Sequence, residues 1–411
     1  MQTYNNIINA IDVGTSKVCI LSAEQISETH TQIIGFSSID SNGLNKGNIS
    51  DQESITLAVA KVKSDVENMT GIPIKNAYSN ISGSHLEIKS MSNSHGNKLE
   101  NKIITSKDLA LFEKNIEQKH KISDQKRVIL EHLNTKYKLD NSFDIKNPTG
   151  MHRSNMEFVY RVVTGEINLI NKLEGSIKDA GINTLNFVSN ISSSGESTLL
   201  ESEKLGQTIV IDIGAGVTDI GVFNSGDLDY LKTIPIGGMN FSKDISFVTG
   251  ISFKNAEELK LKFGSAQWDI SNSDTIDSIS EETGEPIQID IRDVVLLTRE
   301  RATELCQLLR ISLENIYEEN NDVQFILTGG GANLPGLSSL VSKHFCAPVR
   351  IAKPYLENSK FQDLLNNQIY STLIGTLRLA NEHSTSSSFN FNQSENKNLQ
   401  YSKNIFSKLL S

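Results

Sequence analysis

The sequence predicts an α/β protein of two related lobes, with an α+β insertion in the first lobe and an amphipathic helix at the C-terminal end. Three observations carry that expectation. The tetrapeptide Ile-Asp-x-Gly occurs at 11–14 and again at 211–214, each time between two strand-like runs. Its spacing of 200 residues is too long for a solenoid and fits a duplicated lobe. From residue 382 the composition collapses to Ser, Asn and Gln before a last segment of apolar residues and lysines.

Composition narrows the class. The 411 residues leave room for two to four units at about 100–200 residues each. With 37% hydrophobic residues and 7 prolines, most of the chain should fold. Lys+Arg number 39 against 49 Asp+Glu, a net charge of -10. Such a chain suits neither non-specific nucleic-acid binding nor anionic lipid, unless a local segment reverses the sign. There is no run of about 20 apolar residues to span a bilayer. Met1-Gln2-Thr3-Tyr4-Asn5-Asn6 has no basic region, so no signal peptide is expected. Cys19, Cys306 and Cys346 are few, odd in number and far apart. They read as reduced core thiols of a cytosolic protein, without disulfide or zinc site.

Residues 7–13 form an apolar, β-branched strand, 14–16 a turn, and 17–23 a second strand. Helical spacing covers 61–70. The segment 83–163 has its own character: strand at 85–90, helix at 106–119, loop at 146–150, alternating strand at 156–163. A helix follows at 167–180. The second hairpin joins 208–213 to 218–223 and leads to Ile234-Pro235-Ile236-Gly237-Gly238. Helices are expected near 241–249 and 255–263, then a polar insertion at 271–286 whose acidic part, 274–285, reads as a solvated loop. A long helix spans 293–318, a strand 324–328 runs into Gly329-Gly330-Gly331, and helices start at 336 and 368. The eight histidines form no cluster.

The paired hairpins carry the chemistry. A glycine turn between adjacent strands exposes backbone N–H groups that can cradle a phosphate. Gly14 makes the first such turn, and Thr15, Ser16 and Lys17 add hydroxyls and a cation. In the second, Gly214, Ala215 and Gly216 let backbone approach closely. Asp12 and Asp212 end buried strands, where a bare carboxylate needs a cation or water. Two such groups facing one polyphosphate suit Mg²⁺, which keeps most of its waters. Each hairpin alone reads equally as a plain glycine turn; the pair is the signal. The chain after Gly216 alternates as a strand, which excludes a Rossmann fingerprint, and no P-loop pattern occurs. A third glycine turn, Gly329-Gly330-Gly331, could pack flat against a nucleoside or simply close a tight turn.

This constellation resembles the actin-like (ribonuclease H-like) ATPase superfamily and, within it, the FtsA family of bacterial cell-division proteins. IDVGTSKV at 11–18 looks like the first phosphate motif and IDIGAGVTDIGVF at 211–223 the second. IPIGG at 234–238, AEELK at 256–260 and LTGGGANLPGL at 327–337 look like the segments around the nucleoside. SNISGSHL at 79–86, IKNPTGM at 145–151 and VVTGE at 162–166 are similar to that family's inserted subdomain. The resemblance implies a first-lobe core of 1–82 with 164–188 and 360–381, and an insertion at 83–163. It places a second-lobe core at 189–240 with 322–359, and an outer subdomain at 241–321. A disordered linker at 382–398 and a membrane-targeting helix at 399–411 follow.

It further implies ATP with Mg²⁺ as ligand. Thr15, Ser16 and Lys17 would meet the β/γ phosphates, opposed by Gly214, Ala215 and Gly216, with Thr218 and Gly238 alongside. Asp12 and Asp212 would orient metal-bound waters. Glu257 and Lys260 would reach the ribose or base edge, though by spacing alone they read as a solvated helix face. Gly329, Gly330 and Gly331 would flank the base. Many relatives carry Glu or Gln near 189 to position the attacking water; Ser189 cannot serve as a carboxylate base, so weak or absent hydrolysis is expected. The implied partners are the C-terminal peptide of the tubulin-like FtsZ, other copies of the chain, further division proteins and lipid, at the cytoplasmic face of the membrane at the division site. Arg301, in the arginine-bearing helix 293–318, is the candidate for the peptide contact.

At the terminus, Ile405, Phe406, Leu409 and Leu410 share one face at helical spacing, and Lys408 lies where its stem can snorkel. After Glu395 no acidic residue occurs, while Lys397, Lys403 and Lys408 reverse the local sign, as in an interfacial helix. The alternatives are a pilus-assembly PilM-like scaffold, a sugar or acetate kinase of the same superfamily, and an Hsp70-like chaperone ATPase. The tail separates the first reading from these three.

Overall fold

The computed structural model describes residues 7–27, 31–95, 102–109, 111, 124–139, 142–145, 147–153, 156–267, 274–317, 323–356 and 361–385. In the first lobe β1 (Ile7–Val13), β2 (Lys17–Gln25) and β3 (Thr31–Asp40) form an antiparallel meander, with Ile7 opposite Glu24 and Val13 opposite Val18. Every residue from Ile8 to Val13 is buried, the mark of a strand covered on both faces. Helix α1 (Gln52–Thr70) begins where the Asp51 side chain accepts the Ser54 N–H. It buries Ile55, Ala58, Val59, Val62 and Val66 on one stripe and stops at Gly71, in the left-handed region. β4 (Asn76–Ile81) then pairs parallel with β1.

The insertion is an antiparallel sheet of β5 (Glu87–His95), β6 (Arg127–Leu139), β7 (Ser142–Ile145) and β8 (Met156–Glu166), in the order β7-β6-β8-β5. Ile104, Tyr137, Tyr160 and Val162 form its small core. Helix α2 (Ile167–Asp179) returns the chain to β9 (Asn183–Ser189), which completes the first-lobe sheet in the order β9-β4-β1-β2-β3.

Helix α3 (Asn190–Thr198) leads into the second lobe: β10 (Gln207–Ile213), β11 (Thr218–Asn224) and β12 (Asp227–Ile234). The outer part comprises α4 (Gly238–Thr249), α5 (Phe253–Phe263), the hairpin β13 (Thr275–Ile279) with β14 (Pro286–Asp290), and α6 (Ile291–Leu313). β15 (Val323–Thr328), α7 (Leu337–Phe345) and β16 (Val349–Ile351) finish the sheet in the order β12-β11-β10-β15-β16. Three antiparallel strands followed by two parallel ones appear in both sheets, so the duplicated tetrapeptide marks equivalent strands β1 and β10. Helix α8 (Ser371–Thr385) packs against β1 and crosses α3.

Some expectations change. The 274–285 stretch is half of a hairpin rather than a solvated loop, because Ile276, Ile287 and Ile289 recur on its inner side and join the core of Ile245, Ile251 and Val294. Helix α8 continues to Thr385, past the expected linker start at 382; Asn381 is still buried and its side chain accepts from Gln25 Nε2 at 2.7 Å. The long helix runs over Ile291–Leu313 rather than 293–318. Cys19 and Cys306 are core thiols whose pKa burial pushes up to about 12, but Cys346 is exposed, at the end of α7. Most of the 106–119 helix, the rest of the linker and the 399–411 tail, with Ile405, Phe406, Lys408, Leu409 and Leu410, lie outside the described residues.

Candidate functional site

The ends of β1 and β10 face each other across the lobes. Each turn is closed by its own backbone: Gly14 N–H donates to the Lys17 carbonyl and Gly214 N–H to the Val217 carbonyl, both at 2.9 Å. The turns nearly touch. A Cβ placed on Gly216 would lie 2.5 Å from Thr15 Oγ1, so glycine is required by space. Gly329, with φ +80°, sits directly against the Asp212 carboxylate and the Ile213 carbonyl; both the backbone angle and the contact demand glycine. Thus Thr15, Gly216, Asp212 and Gly329 from three sequence segments meet at one place.

The two aspartates are held differently. Asp12 accepts from Asn80 Nδ2 at 2.8 Å and pairs with Lys17 Nζ at 3.5 Å. Asp212 accepts from the hydroxyls of Ser194 and Thr372, both on Oδ2. Burial pushes its carboxyl above the ordinary aspartate range, Asp12 adds to this, and the two hydroxyls and Lys17 oppose it. Burial by itself would lower Lys17, but Asp12, Cys19, Asp212 and Tyr370 together hold it above its usual value. The ammonium also lies 5.5 Å from the centre of the Tyr370 ring. Asn80, Ser194, Tyr370 and Thr372 belong to this site and have no local sequence signal. One cross-lobe bond lies alongside: Ser82 donates to both oxygens of Asp219 at 2.7 Å, and Thr233 donates at 2.6 Å. Burial pushes Asp219 up to about 7.

The remaining candidates divide. Gly238 N–H donates to the Gly214 carbonyl and Met239 N–H to that of Ala215, both at 2.8 Å, so α4 begins on the second turn. Lys260 Nζ reaches the Gly238 carbonyl at 3.1 Å and Glu257 at 2.8 Å, while Ser242 donates to Glu257; this ion pair therefore borders the cleft. Thr218 is buried and its hydroxyl donates to the Ile236 carbonyl at 2.7 Å, a structural bond within the lobe. Gly331 packs on Ile213, whereas Gly330 is exposed and a Cβ there would meet only Ile369 at 3.5 Å. Ser16 is exposed at the first turn, and its carbonyl accepts from Ser41 N–H at 3.0 Å. Ser189 is fully buried; its hydroxyl caps α3 by accepting the Ser192 N–H. Arg301 is forked onto Asp244 at 2.6 and 2.7 Å and also pairs with Glu304, so each of its three nitrogens already has an acidic partner.

Two lobes with one strand order, each turning a strand-end aspartate and a glycine loop toward the other, define an actin-like protein. Solved structures agree on that fold. A chain of the PilM–PilN type IV pilus biogenesis complex aligns with a TM-score of 0.63 at 13% identity, over 91% of this chain and 98% of that one. MreB5 of Spiroplasma citri bound to ADP gives 0.56 at 14% identity, over 93% and 100%. The MamK double helical filament gives 0.52 at 13%, over 92% and 99%. At these identities the likeness is one of fold alone.

The sequence comparisons go further. The model described as "Cell division protein FtsA" matches residues 209–375, and "SHS2 domain inserted in FTSA" matches 83–164; together they take in more than half of the chain. Cell division protein FtsA of Pseudomonas aeruginosa is 29% identical over 90% of this chain and 88% of its own length. That of Bacillus subtilis is 27% identical over 85% and 79%, and that of Escherichia coli K12 26% over 92% and 91%. The chain belongs to the FtsA family of actin-like cell-division proteins.

Proposed function

We propose that this chain binds ATP with Mg²⁺ between its lobes, polymerises at the cytoplasmic face of the membrane, and tethers FtsZ there at the division site. The facing turns, with Gly216 against Thr15, are the observation that carries the nucleotide reading. Their backbone N–H groups, the Thr15 and Ser16 hydroxyls and Lys17 suit a β/γ phosphate. MreB5, which shares this fold and is solved bound to ADP, supports the same role here.

The residues present fit a hydrated Mg²⁺. Asn80 Oδ1, beside Asp12, is a buried acceptor without a hydrogen-bond partner among the described residues, and the Ser194 and Thr372 bonds both fall on one oxygen of Asp212. A metal-bound water could donate to Asn80, and Asp12 and Asp212 would hold the ion through its waters. When bound, the ion would neutralise phosphate charge; Lys17 shares that task from the first turn. Slow turnover is part of the proposal, since Ser189 is turned into the helix cap and carries no base. Glu257 and Lys260 would border the nucleoside from α5.

The division of the chain that accompanies this reading keeps two lobe cores, the 83–163 insertion and the 241–321 outer subdomain. FtsZ-peptide docking is assigned to that outer subdomain, where an acidic peptide must displace Asp244 or Glu304 to reach Arg301. The 399–411 tail would supply the membrane contact. The test is titration of a fluorescent ATP analogue with and without Mg²⁺ on the wild-type chain and Asp212→Ala. The variant should lose most of the Mg²⁺-dependent affinity; unchanged binding would refute the assignment.

A further inference from the structure

The inserted subdomain is joined to the second lobe by Arg161 on β8, whose guanidinium donates to Asp229 and to the Leu228 and Asp229 carbonyls at 3.0 and 2.9 Å. Glu131 on β6 makes a different connection. Its carboxylate accepts the Ser189 N–H at 2.5 Å, at the start of α3. Burial pushes this carboxyl above the ordinary glutamate range, and Ser192 and Ser189 act against the shift.

A helix start has N–H groups without intrahelical partners and a partial positive charge, so a carboxylate there holds the first turn in place. Helix α3 has no acidic residue in its own first turn; the anion comes from the insertion. One turn later the same helix places Ser194 on Asp212 Oδ2. Ser193 meanwhile pairs with Thr376 of α8 at 2.9 Å. The helix is therefore gripped at its start by β6, and what it delivers is the orientation of one carboxylate. A cavity of about 260 Å³, lined by Glu131, Leu133, Ser192, Gly195 and Leu228 among others, flanks the grip.

We propose that Glu131 is a positioning residue for the metal–nucleotide site, fixing the first turn of α3 and through Ser194 the orientation of Asp212. The insertion thereby senses, and is sensed by, the occupied cleft. This inference rests on the Mg²⁺–nucleotide reading above.

The experiment measures affinity for a fluorescent ATP analogue, with Mg²⁺ and with EDTA, together with thermal midpoints. The variants are Glu131→Leu, Glu131→Gln, Ser194→Ala, the double variant that joins Glu131→Leu to Ser194→Ala, and Asp212→Ala, all on the full chain. Loss of the carboxylate at the helix start predicts about fivefold weaker Mg²⁺-dependent binding for E131L, with metal-free binding nearly unchanged. E131Q, which keeps an acceptor for Ser189 N–H, should recover most of it. The double variant should be no weaker than S194A alone, because both act through one contact. A drop in thermal midpoint without a change in Mg²⁺ dependence, or losses that multiply in the double variant, would overturn the proposal. If E131L does not fold, Glu131→Asp decides on the same ratio of the two affinities. Normal Mg²⁺ dependence in D212A would instead overturn the nucleotide reading itself.

Discussion

Replacing Gly216 with alanine should force the two glycine turns apart. The new methyl would sit 2.5 Å from Thr15 Oγ1, 3.0 Å from its Cγ2 and 3.1 Å from its Cβ. Comfortable carbon contacts lie near 3.5–4.0 Å, so one turn must retreat by roughly 1 Å. Thr15 cannot simply swing clear, since it is β-branched and its Cβ is itself close. Overpacking of this kind costs about 1–3 kcal/mol. If the strain is felt in the closed, nucleotide-bound state, affinity falls by about 5- to 150-fold. The assay is a Mg²⁺-nucleotide titration of wild type, Gly216→Ala, Thr15→Ala and the double variant. Thr15→Ala removes the two nearest atoms, so G216A should cost much less in that background. Equal losses in both backgrounds, or no loss in either, would refute the reasoning that these turns share one ligand.

Arg161→Leu removes a nearly buried guanidinium and leaves Asp229 and two carbonyls without it; breaking such a pair costs about 3–5 kcal/mol, to be read from urea midpoints. Asp219 supplies a pH dependence. Its folded-state pKa is raised from 3.8 to about 7, so the folded chain keeps a proton that the unfolded chain releases across that window. Its contribution therefore falls as pH rises from about 4 to 7. Wild type should lose thermal stability relative to Asp219→Asn between pH 5 and 8; a constant difference would refute the assignment. At the terminus, Phe406→Glu or Leu409→Glu should abolish liposome co-sedimentation while leaving nucleotide binding intact, and a chain cut after Glu395 should behave like them.

The parts of this molecule that are local in sequence were legible in it. Strands β1 and β2, and β10 and β11, are each a β-branched run, a glycine turn and a return, with registers from Val13–Val18 and Ile213–Thr218 outward. Their repetition revealed the two lobes. Helix α1 declares itself by its apolar stripe and the Gly71 stop, although Gln52, Glu53, Ser54 and Thr56 dilute the pattern and hide its first turns. The β13–β14 hairpin is hidden in the same way: Asp277, Glu281, Glu282 and Glu285 read as a solvated loop until the inner isoleucines are paired. The surroundings of the site were not legible. Asn80 reaches Asp12 across 68 residues and Thr372 reaches Asp212 across 160, and neither has a neighbour that betrays the contact. Arg301 shows the converse. Its sequence marks a cation on a helix, and only folding shows Asp244, 57 residues earlier, already in its fork.

The most direct test of the central claim is hydrogen–deuterium exchange of the backbone amides with and without Mg²⁺-ATP. A phosphate cradled by both turns should slow exchange in the peptides carrying residues 14–17 and in those carrying 214–216, together and with the same nucleotide dependence. Protection of one turn alone, or of neither at saturating nucleotide, would contradict the account.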